Sequence, residues 1–332
     1  MPVVLSASRS AGPQPGRSED TGIVIGLVNN MPDAALRTTE RQFCELLSAA
    51  SDDVAICLRL FSIPQVPRGE EGRARVQERY EDIGELWTSR LDGLIVTGAE
   101  PRAPELADEP YWPVLAQLVD WAEDHCVSAI WSCLAAHAAA LHLDGIPRRP
   151  LRQKLSGIFD CSKAGDHAIM FRGPRWRVPH SRYNELPEEA LVSAGYRLLS
   201  RSEEAGADIF VKEERSLFVF LQGHPEYDPA ALLREYRRDS CRFLAGEQSH
   251  YPEMPRHYFD DDARIVLAAY REAATSRPDP DLPARFPAIE KGWLSSGWRW
   301  PATQLYTNWL TYLVEHRPAN FSSRPLAFQE VP

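Results

Sequence analysis

Cys133 closes the run Val127-Ser-Ala-Ile-Trp-Ser-Cys133, and a segment of strong helix formers, Leu134 to Leu141, follows at once. The pattern predicts a strand that turns sharply into a helix with the thiol on the turn. A cysteine there faces the positive end of the helix dipole, which favours a nucleophilic thiolate. Acyl-transfer enzymes use the same strand-to-helix elbow, with serine in place of cysteine. The competing reading is a buried structural cysteine. A cysteine nucleophile also needs a base, and the base needs a group that orients it. Among nine histidines, His224 stands out because it follows the apolar run Leu217-Phe-Val-Phe-Leu221 at another strand end. Glu226 lies two residues on, and side chains two apart share a face of extended chain. Nucleophile, base and orienting acid would then be Cys133, His224 and Glu226. His137 ranks lower as a base, because a partner four residues on points along the helix rather than over the elbow. An oxyanion would draw on the N–H of Leu134, just past the nucleophile, and on the Gly98-Ala99 turn, with Ala99 as second donor.

The elements that must position these groups form a β-α-β-α series. Gly22 to Val28 and Leu91 to Thr97 are continuous apolar runs suited to buried parallel strands, and Val54 to Phe61 reads as another. Helices are predicted from Pro32-Asp33 to about Ala49 and from Pro110 to Glu123. This rhythm predicts an α/β fold with a doubly wound, mostly parallel sheet, whose active site lies at the carboxyl ends of the strands. Asn29-Asn30, Gly98-Ala99 and Cys133 stand at three such ends. The second half reads as more antiparallel. Short strands are expected at His167 to Phe171, Trp176 to Val178, Ala207 to Lys212 and Leu217 to Leu221. A helix capped by Asp228 should run to about Ala245, with further helices at Asp262 to Thr275 and Pro301 to Glu315. Residues 1–21, rich in Ser, Gly, Pro and charge, read as a disordered leader.

Bulk properties narrow the function. A net charge of −10 argues against a general nucleic-acid binder, though it leaves room for a local basic patch. No apolar run approaches a membrane span, and Met1 to Ser10 lacks the plan of a signal peptide. The six cysteines are scattered without a CxxC pair, so they read as reduced thiols, with no zinc site or disulfide framework expected.

Seven ordered motifs carry a resemblance. They are Val28-Asn29-Asn30-Met31-Pro32, Asp92-Gly-Leu-Ile-Val-Thr-Gly-Ala99, Tyr111-Trp112-Pro113, Lys154-Leu-Ser-Gly157, Pro179-His-Ser-Arg-Tyr183, Gly223-His-Pro-Glu-Tyr-Asp228 and Thr307-Asn-Trp-Leu310. Together they resemble the MetA-type homoserine O-acyltransferases across residues 22–316. That family is similar to class I glutamine amidotransferases, so the resemblance implies a flavodoxin-like, amidotransferase-like domain over 22–316, with a C-terminal helical and irregular extension. It implies that Cys133 carries an acyl thioester, with His224 as base and Glu226 as its orienting acid. It places Lys154, Ser181 and Arg238 at the substrate. Lys154 and Arg238 would suit the carboxylate of an amino acid or of an acyl group. The implied substrates are an acyl-CoA and L-homoserine, with no permanently bound cofactor and no metal. The implied setting is a cytoplasmic homodimer in methionine biosynthesis.

Three departures from the family pattern bear on function. Ser132-Cys133-Leu134-Ala135 lacks the glycines of the amidotransferase Gly-x-Cys-x-Gly elbow, which weakens a glutaminase reading. Arg102 stands where the family carries Gly in succinyl-transferring members and Glu in acetyl-transferring ones. An arginine should attract the free carboxylate of a succinyl group, so succinyl-CoA is the expected donor and acetyl-CoA the alternative. Arg102 could also fill that space, or pair with Glu100 or Glu105. Residues 260–290 form an insertion, and 317–332 a tail. Serine or another hydroxy amino acid is an alternative acceptor. A glutaminase subunit and a non-catalytic binding protein are the readings from other classes.

Overall fold

Apolar runs of β-branched and aromatic residues supply the strands, and amphipathic segments between them supply the helices that cover both faces. The computed structural model describes residues 3–5, 22–52, 54–276, 279 and 281–318. In chain order the first part runs β1 (Val3–Leu5), β2 (Ile23–Val28), α1 (Asp33–Ala50), β3 (Ile56–Phe61), α2 (Glu70–Arg79), α3 (Ile83–Trp87) and β4 (Leu91–Val96). It continues through α4 (Trp112–His125), β5 (Cys126–Ser132) and α5 (Leu134–Asp144). The second part runs β6 (Arg149–Lys163), β7 (Arg175–Glu185), α6 (Glu188–Ser193), β8 (Arg197–Ser202), β9 (Gly206–Glu213) and β10 (Leu217–Leu221). Helices α7 (Ala231–Leu244), α8 (Asp261–Ser276) and α9 (Arg299–His316) close the described chain.

Among the described residues the strands form one sheet in the order β1-β3-β2-β4-β5-β10-β9-β8-β6-β7. From β1 to β10 all neighbours are parallel, and from β10 to β7 all are antiparallel. Within the parallel part, chain order reverses at β2, between β3 and β4, which is the flavodoxin-like arrangement with its switch point at the carboxyl ends. The strand ends are level: Val28 pairs with Val96, Val96 with Trp131 and Ser132 with Leu221.

Strand alternation divides the core into two layers. Ile95, Ile130 and Val219 face α1 and α9, whereas Leu94, Ala129, Trp131 and Phe220 face α4 and α5. Trp309 of α9 is fully buried, donates from its indole Nε1 to Ser128 Oγ at 2.9 Å, and packs where a side chain on Gly93 would stand. A smaller apolar cluster joins α7 to α8 through Tyr236, Leu267 and Tyr270. The segment 260–290 therefore buttresses the outer face of α7. No helix among the described residues is long and apolar enough to cross a membrane.

Four local expectations need correction. Residues 3–5, read as part of a disordered leader, form β1 on the free side of β3. The remainder of 1–21 and the tail beyond 318 lie outside the described residues. His167 to Phe171 is a turn rather than a strand, while β6 and β7 form a hairpin much longer than the short strand expected at Trp176 to Val178. Half of β6 is polar and partly exposed, so it shows no apolar alternation to read. Asp228 does not cap α7, whose N-cap is Ala230; its Oδ1 instead accepts the Ala230 N–H at 2.9 Å in the preceding turn.

Trp309→Ala should cost about 3–5 kcal/mol of stability, the usual range for emptying a large aromatic site. A urea denaturation midpoint equal to that of the parent protein would show that α9 does not anchor this layer.

Candidate active site

Because β5 and β10 end in register, the residues that follow them emerge side by side. Cys133 occupies the β5–α5 corner at φ 53° and ψ −111°, a strained backbone for a residue with a Cβ. Its N–H donates to the Leu221 carbonyl at 2.7 Å, so the elbow is tied directly to the end of β10. Its carbonyl accepts the Ala136 N–H at 3.0 Å and starts the ladder of α5. The half-buried thiol therefore stands over the helix N-terminus, where the first N–H groups have no intrahelical partner. The Leu134 N–H is one of these. Gly98 lies against it: a Cβ on Gly98 would come within 3.1 Å of Leu134 N and 2.6 Å of its Cβ. Ala99 follows at the end of β4, half-buried.

His224 leaves β10 in a fixed position. Its N–H donates to the Pro179 carbonyl at 2.8 Å, and the Gln222 N–H donates to Asp208 O at 2.9 Å. The imidazole is buried, with Nδ1 at 2.8 Å from Glu226 Oε1, and the Cys133 side chain lies within its hydrogen-bonding reach. Glu226 takes Nδ1, which leaves Nε2 for the thiol. Burial opposes charge on His224, but the Glu226 carboxylate and the Cys133 sulfur outweigh it and hold the imidazole well above its ordinary value. Cys133, His224 and Glu226 thus converge, as nucleophile, base and orienting acid require. His137 does not join them. Its Nε2 faces Gln222 Oε1 at 3.1 Å, and burial, followed by the Arg182 charge, pushes it down to about 3.

Beside the base lies a second polar cluster. The Tyr227 ring stacks on His224 with centroids 4.3 Å apart, and its hydroxyl donates to Glu235 Oε1 at 2.5 Å. Glu235 Oε2 accepts from Lys154 Nζ at 3.1 Å and from Ser181 Oγ. Lys154 also reaches Asp239 Oδ2 at 2.7 Å. Arg238 Nε donates to Asp239 Oδ1 at 2.9 Å and stays half-exposed. Burial would raise the Glu235 carboxyl, but Lys154, Ser181, Tyr227 and Arg238 together bring it down to about 2. Lys154, Ser181 and Arg238 therefore meet around a carboxylate that the sequence reading passed over. The signal was present: positions 235, 238 and 239 share one face of α7. Lys154 is less free than expected, being matched by two carboxylates.

Arg182 also escaped the sequence reading. Its guanidinium is buried, donates to the carbonyls of Asn184, at 2.8 Å, and Ala205, and forms no ion pair with a carboxylate among the described residues. Burial lowers its pKa, and the strongest opposing influence is the charge of a Cys133 thiolate.

Arg102 stands apart on the loop between β4 and α4. It is exposed, and its backbone N–H is held by the buried Glu109 carboxylate at 2.5 Å, as is that of Ala103 at 2.7 Å. Neither acid considered as its partner takes it: Glu100 pairs with Arg242 at 3.0 Å, and the guanidinium of Arg102 has no ion pair among the described residues.

A family model described as Homoserine O-succinyltransferase matches residues 14–319. A Rhodopseudomonas palustris protein named homoserine O-succinyltransferase is 50% identical over 304 residues, covering 90% of this chain and 91% of its own. One of the same name from Methylorubrum extorquens is 49% identical over 297 residues, covering 89% and 88%. Among solved structures, a glutamine amidotransferase from Methylobacillus flagellatus is similar at a TM-score of 0.49 and 15% identity, covering 88% of this chain and 95% of its own. One from Thermotoga maritima gives 0.48 and 17%, covering 88% and 98%.

Two outcomes test this geometry. In Gly98→Ala the new methyl should displace the start of α5 and lower kcat by about 100-fold, the scale of a 1 Å misplacement, with circular dichroism unchanged. An unaltered kcat would separate Gly98 from the chemistry. In Glu226→Gln the NMR titration midpoint of His224 should fall. Its folded pKa is raised, so the stability it contributes is fully present below about pH 6.5 and is lost as pH climbs through the elevated folded value. Glu226→Gln should lose that pH-dependent part of the stability.

Proposed function

Because the chain belongs to the homoserine O-succinyltransferase family, we propose that it moves a succinyl group from succinyl-CoA to the hydroxyl of L-homoserine through a thioester on Cys133. The observation that carries the route is the convergence of Cys133, His224 and Glu226 at two adjoining strand ends. The Cys133 sulfur attacks the thioester carbonyl of succinyl-CoA. A new S–C bond forms, the bond from carbon to the CoA sulfur breaks, and the His224 imidazolium returns a proton to the departing thiolate. CoA leaves before the second half-reaction, which makes the sequence ping-pong. His224 then takes the hydroxyl proton of homoserine. The alkoxide attacks the enzyme thioester and expels the Cys133 thiolate beside the imidazolium.

The N–H groups of Leu134 and Ala99 would hold the oxyanion of each tetrahedral intermediate. Arg182, a buried cation without a carboxylate partner among the described residues, would add a compensating charge near the thiolate. For the acceptor, Arg238 is the cation open to the homoserine carboxylate, and Glu235 is an ionised acid for its ammonium group. Lys154 and Ser181 would fix Glu235 and face the same substrate. Arg102, on an exposed loop and without an ion pair among the described residues, would receive the succinyl carboxylate. The product feeds methionine biosynthesis. A cytoplasmic homodimer with no resident cofactor is the setting proposed for it.

Intact-mass analysis after incubation with succinyl-CoA and no acceptor should show a succinyl adduct, absent in Cys133→Ala. An acetyl adduct alone, from acetyl-CoA, would overturn the donor. Failure of homoserine to discharge the adduct, with discharge by serine, would overturn the acceptor. Arg102→Glu should shift the ratio of kcat/KM for succinyl-CoA over acetyl-CoA by about 10- to 100-fold toward acetyl, the worth of one charge-assisted hydrogen bond of about 1.5–3 kcal/mol.

A further inference from the structure

Tyr227 touches both the proposed base and the acid proposed for the ammonium group of the acceptor. Its ring lies on the His224 imidazole, with centroids 4.3 Å apart and planes 14° from parallel. Its hydroxyl donates to Glu235 Oε1 at 2.5 Å. The residue is buried, and its backbone is fixed at both ends. The Tyr227 N–H donates to the His224 carbonyl at 3.2 Å, closing the turn that folds the ring back over the imidazole. The Tyr227 carbonyl accepts from the indole Nε1 of Trp298 at 3.0 Å and from Arg299 Nη1 at 3.5 Å. Trp298 is itself buried in an apolar cluster with Ile158, Leu232 and Tyr258. The chain entering α9 therefore anchors Tyr227 from outside the site.

The polar cluster that Tyr227 joins is balanced in charge. Lys154 and Arg238 supply two cations, and Glu235 and Asp239 supply two carboxylates. Such a cluster suits a zwitterion better than a simple anion, because an amino acid adds one charge of each sign and leaves none uncompensated. The Glu235 side chain is 18% exposed, so a ligand can reach it. Its Oε1 takes the Tyr227 proton and keeps room for an ammonium donor, since a carboxylate oxygen accepts more than one hydrogen bond. The ring does separate work on the base. Glu226 holds the imidazole by one nitrogen, and a single hydrogen bond at one edge leaves the ring free to tilt. The phenol face removes that freedom. When His224 takes a proton, the imidazolium also lies over an electron-rich face, well inside the range of about 6 Å for a cation over an aromatic ring.

We propose that Tyr227 is a positioning residue that holds His224 and Glu235 as one unit, so that an α-amino acceptor bound through its ammonium group presents its side-chain hydroxyl to Nε2. The inference rests on the proposed transfer to homoserine and gives that step its selectivity. A hydroxy compound without the ammonium group meets the same base but not the same alignment. An alcohol holds its proton far more tightly than a thiol does. Transfer to the acceptor therefore depends on an aligned base more than the departure of CoA does.

The test takes the full chain through the two half-reactions separately, each followed by quenched-flow mass measurement. Cys133 is first acylated by succinyl-CoA, then discharged by L-homoserine or by its deamino analogue, which keeps the hydroxyl and the carboxylate. Tyr227→Phe keeps the ring and removes the hydroxyl. It should raise the homoserine concentration for half-maximal discharge about tenfold and shrink the preference for homoserine over the deamino analogue by about the same factor, the scale of a hydrogen bond to a charged group. Tyr227→Leu removes the ring as well and should lower the maximal discharge rate about tenfold more than it lowers acylation. Tyr227→Phe carries the test if Tyr227→Leu fails to fold. A preference unchanged in Tyr227→Phe overturns the proposal, as does an equal loss of acylation and discharge in Tyr227→Leu. Parent protein that forms no thioester, or whose thioester homoserine does not discharge, overturns the underlying reaction instead, and that outcome appears before any substitution at Tyr227.

Discussion

The hydrogen bond from the Cys133 N–H to the Leu221 carbonyl, 2.7 Å long, joins the two halves of the proposed chemistry. One side of it is a strained elbow that aims a thiol over the start of α5. The other is the strand whose next residues deliver His224. A backbone held near φ 53° persists only where its surroundings over-determine it. Here the sheet supplies that constraint, because β5 is buried between β4 and β10 and cannot relax toward either. Gly98 contributes by letting the β4 end approach Leu134 closely. The proposed nucleophile, oxyanion donors and base are thus spaced by strand pairing, which is far stiffer than any loop.

Charge is distributed around this corner with opposite results for groups of the same type. His224 and His137 are both buried imidazoles. One is beside a carboxylate and a thiol sulfur, and its protonated form is favoured. The other faces a side-chain amide and is pushed down to about 3. Burial disfavours charge on both, and the neighbour decides which outcome survives. Arg182, buried with neutral acceptors, keeps a positive potential at the same corner. The acids of α7 give the adjoining cluster its polarity. Glu235 is kept ionised by four donors or cations, and Tyr227 links it to the face of the His224 imidazole. The segment after α7 earns its place by packing Tyr270 and Leu267 against Tyr236, on the helix face away from Glu235.

Much of this was legible in the sequence because the signals are local. Continuous apolar runs marked the parallel strands, and the abrupt change at Ser132-Cys133 marked the elbow. The pair His224 and Glu226 was picked out by its two-residue spacing, although the contact is made in a turn, where the Tyr227 N–H donates to the His224 carbonyl at 3.2 Å, rather than in extended chain. The long β6–β7 hairpin was not legible. Half of β6 is polar and partly exposed, so it presents no apolar period, and β7 is an edge strand that asks for none. Residues 3–5 gave no signal as a strand either, since three residues amid Ser, Gly and Pro carry too little pattern to distinguish pairing from solvent.

The sequence by itself determined the alternation of strands and helices, the strand-end residues at which chemistry could occur, and the candidates proposed as nucleophile, base and orienting acid. Only the tertiary structure decided which distant groups meet. It set Glu235 between Lys154 and Ser181, left Arg102 without the acids beside it in sequence, and brought Trp298 to the carbonyl of Tyr227. The physical reason is that periodicity records which face a residue presents, whereas strand order and register decide what it faces. Those depend on pairing between segments far apart in the chain, where no local pattern constrains the spacing.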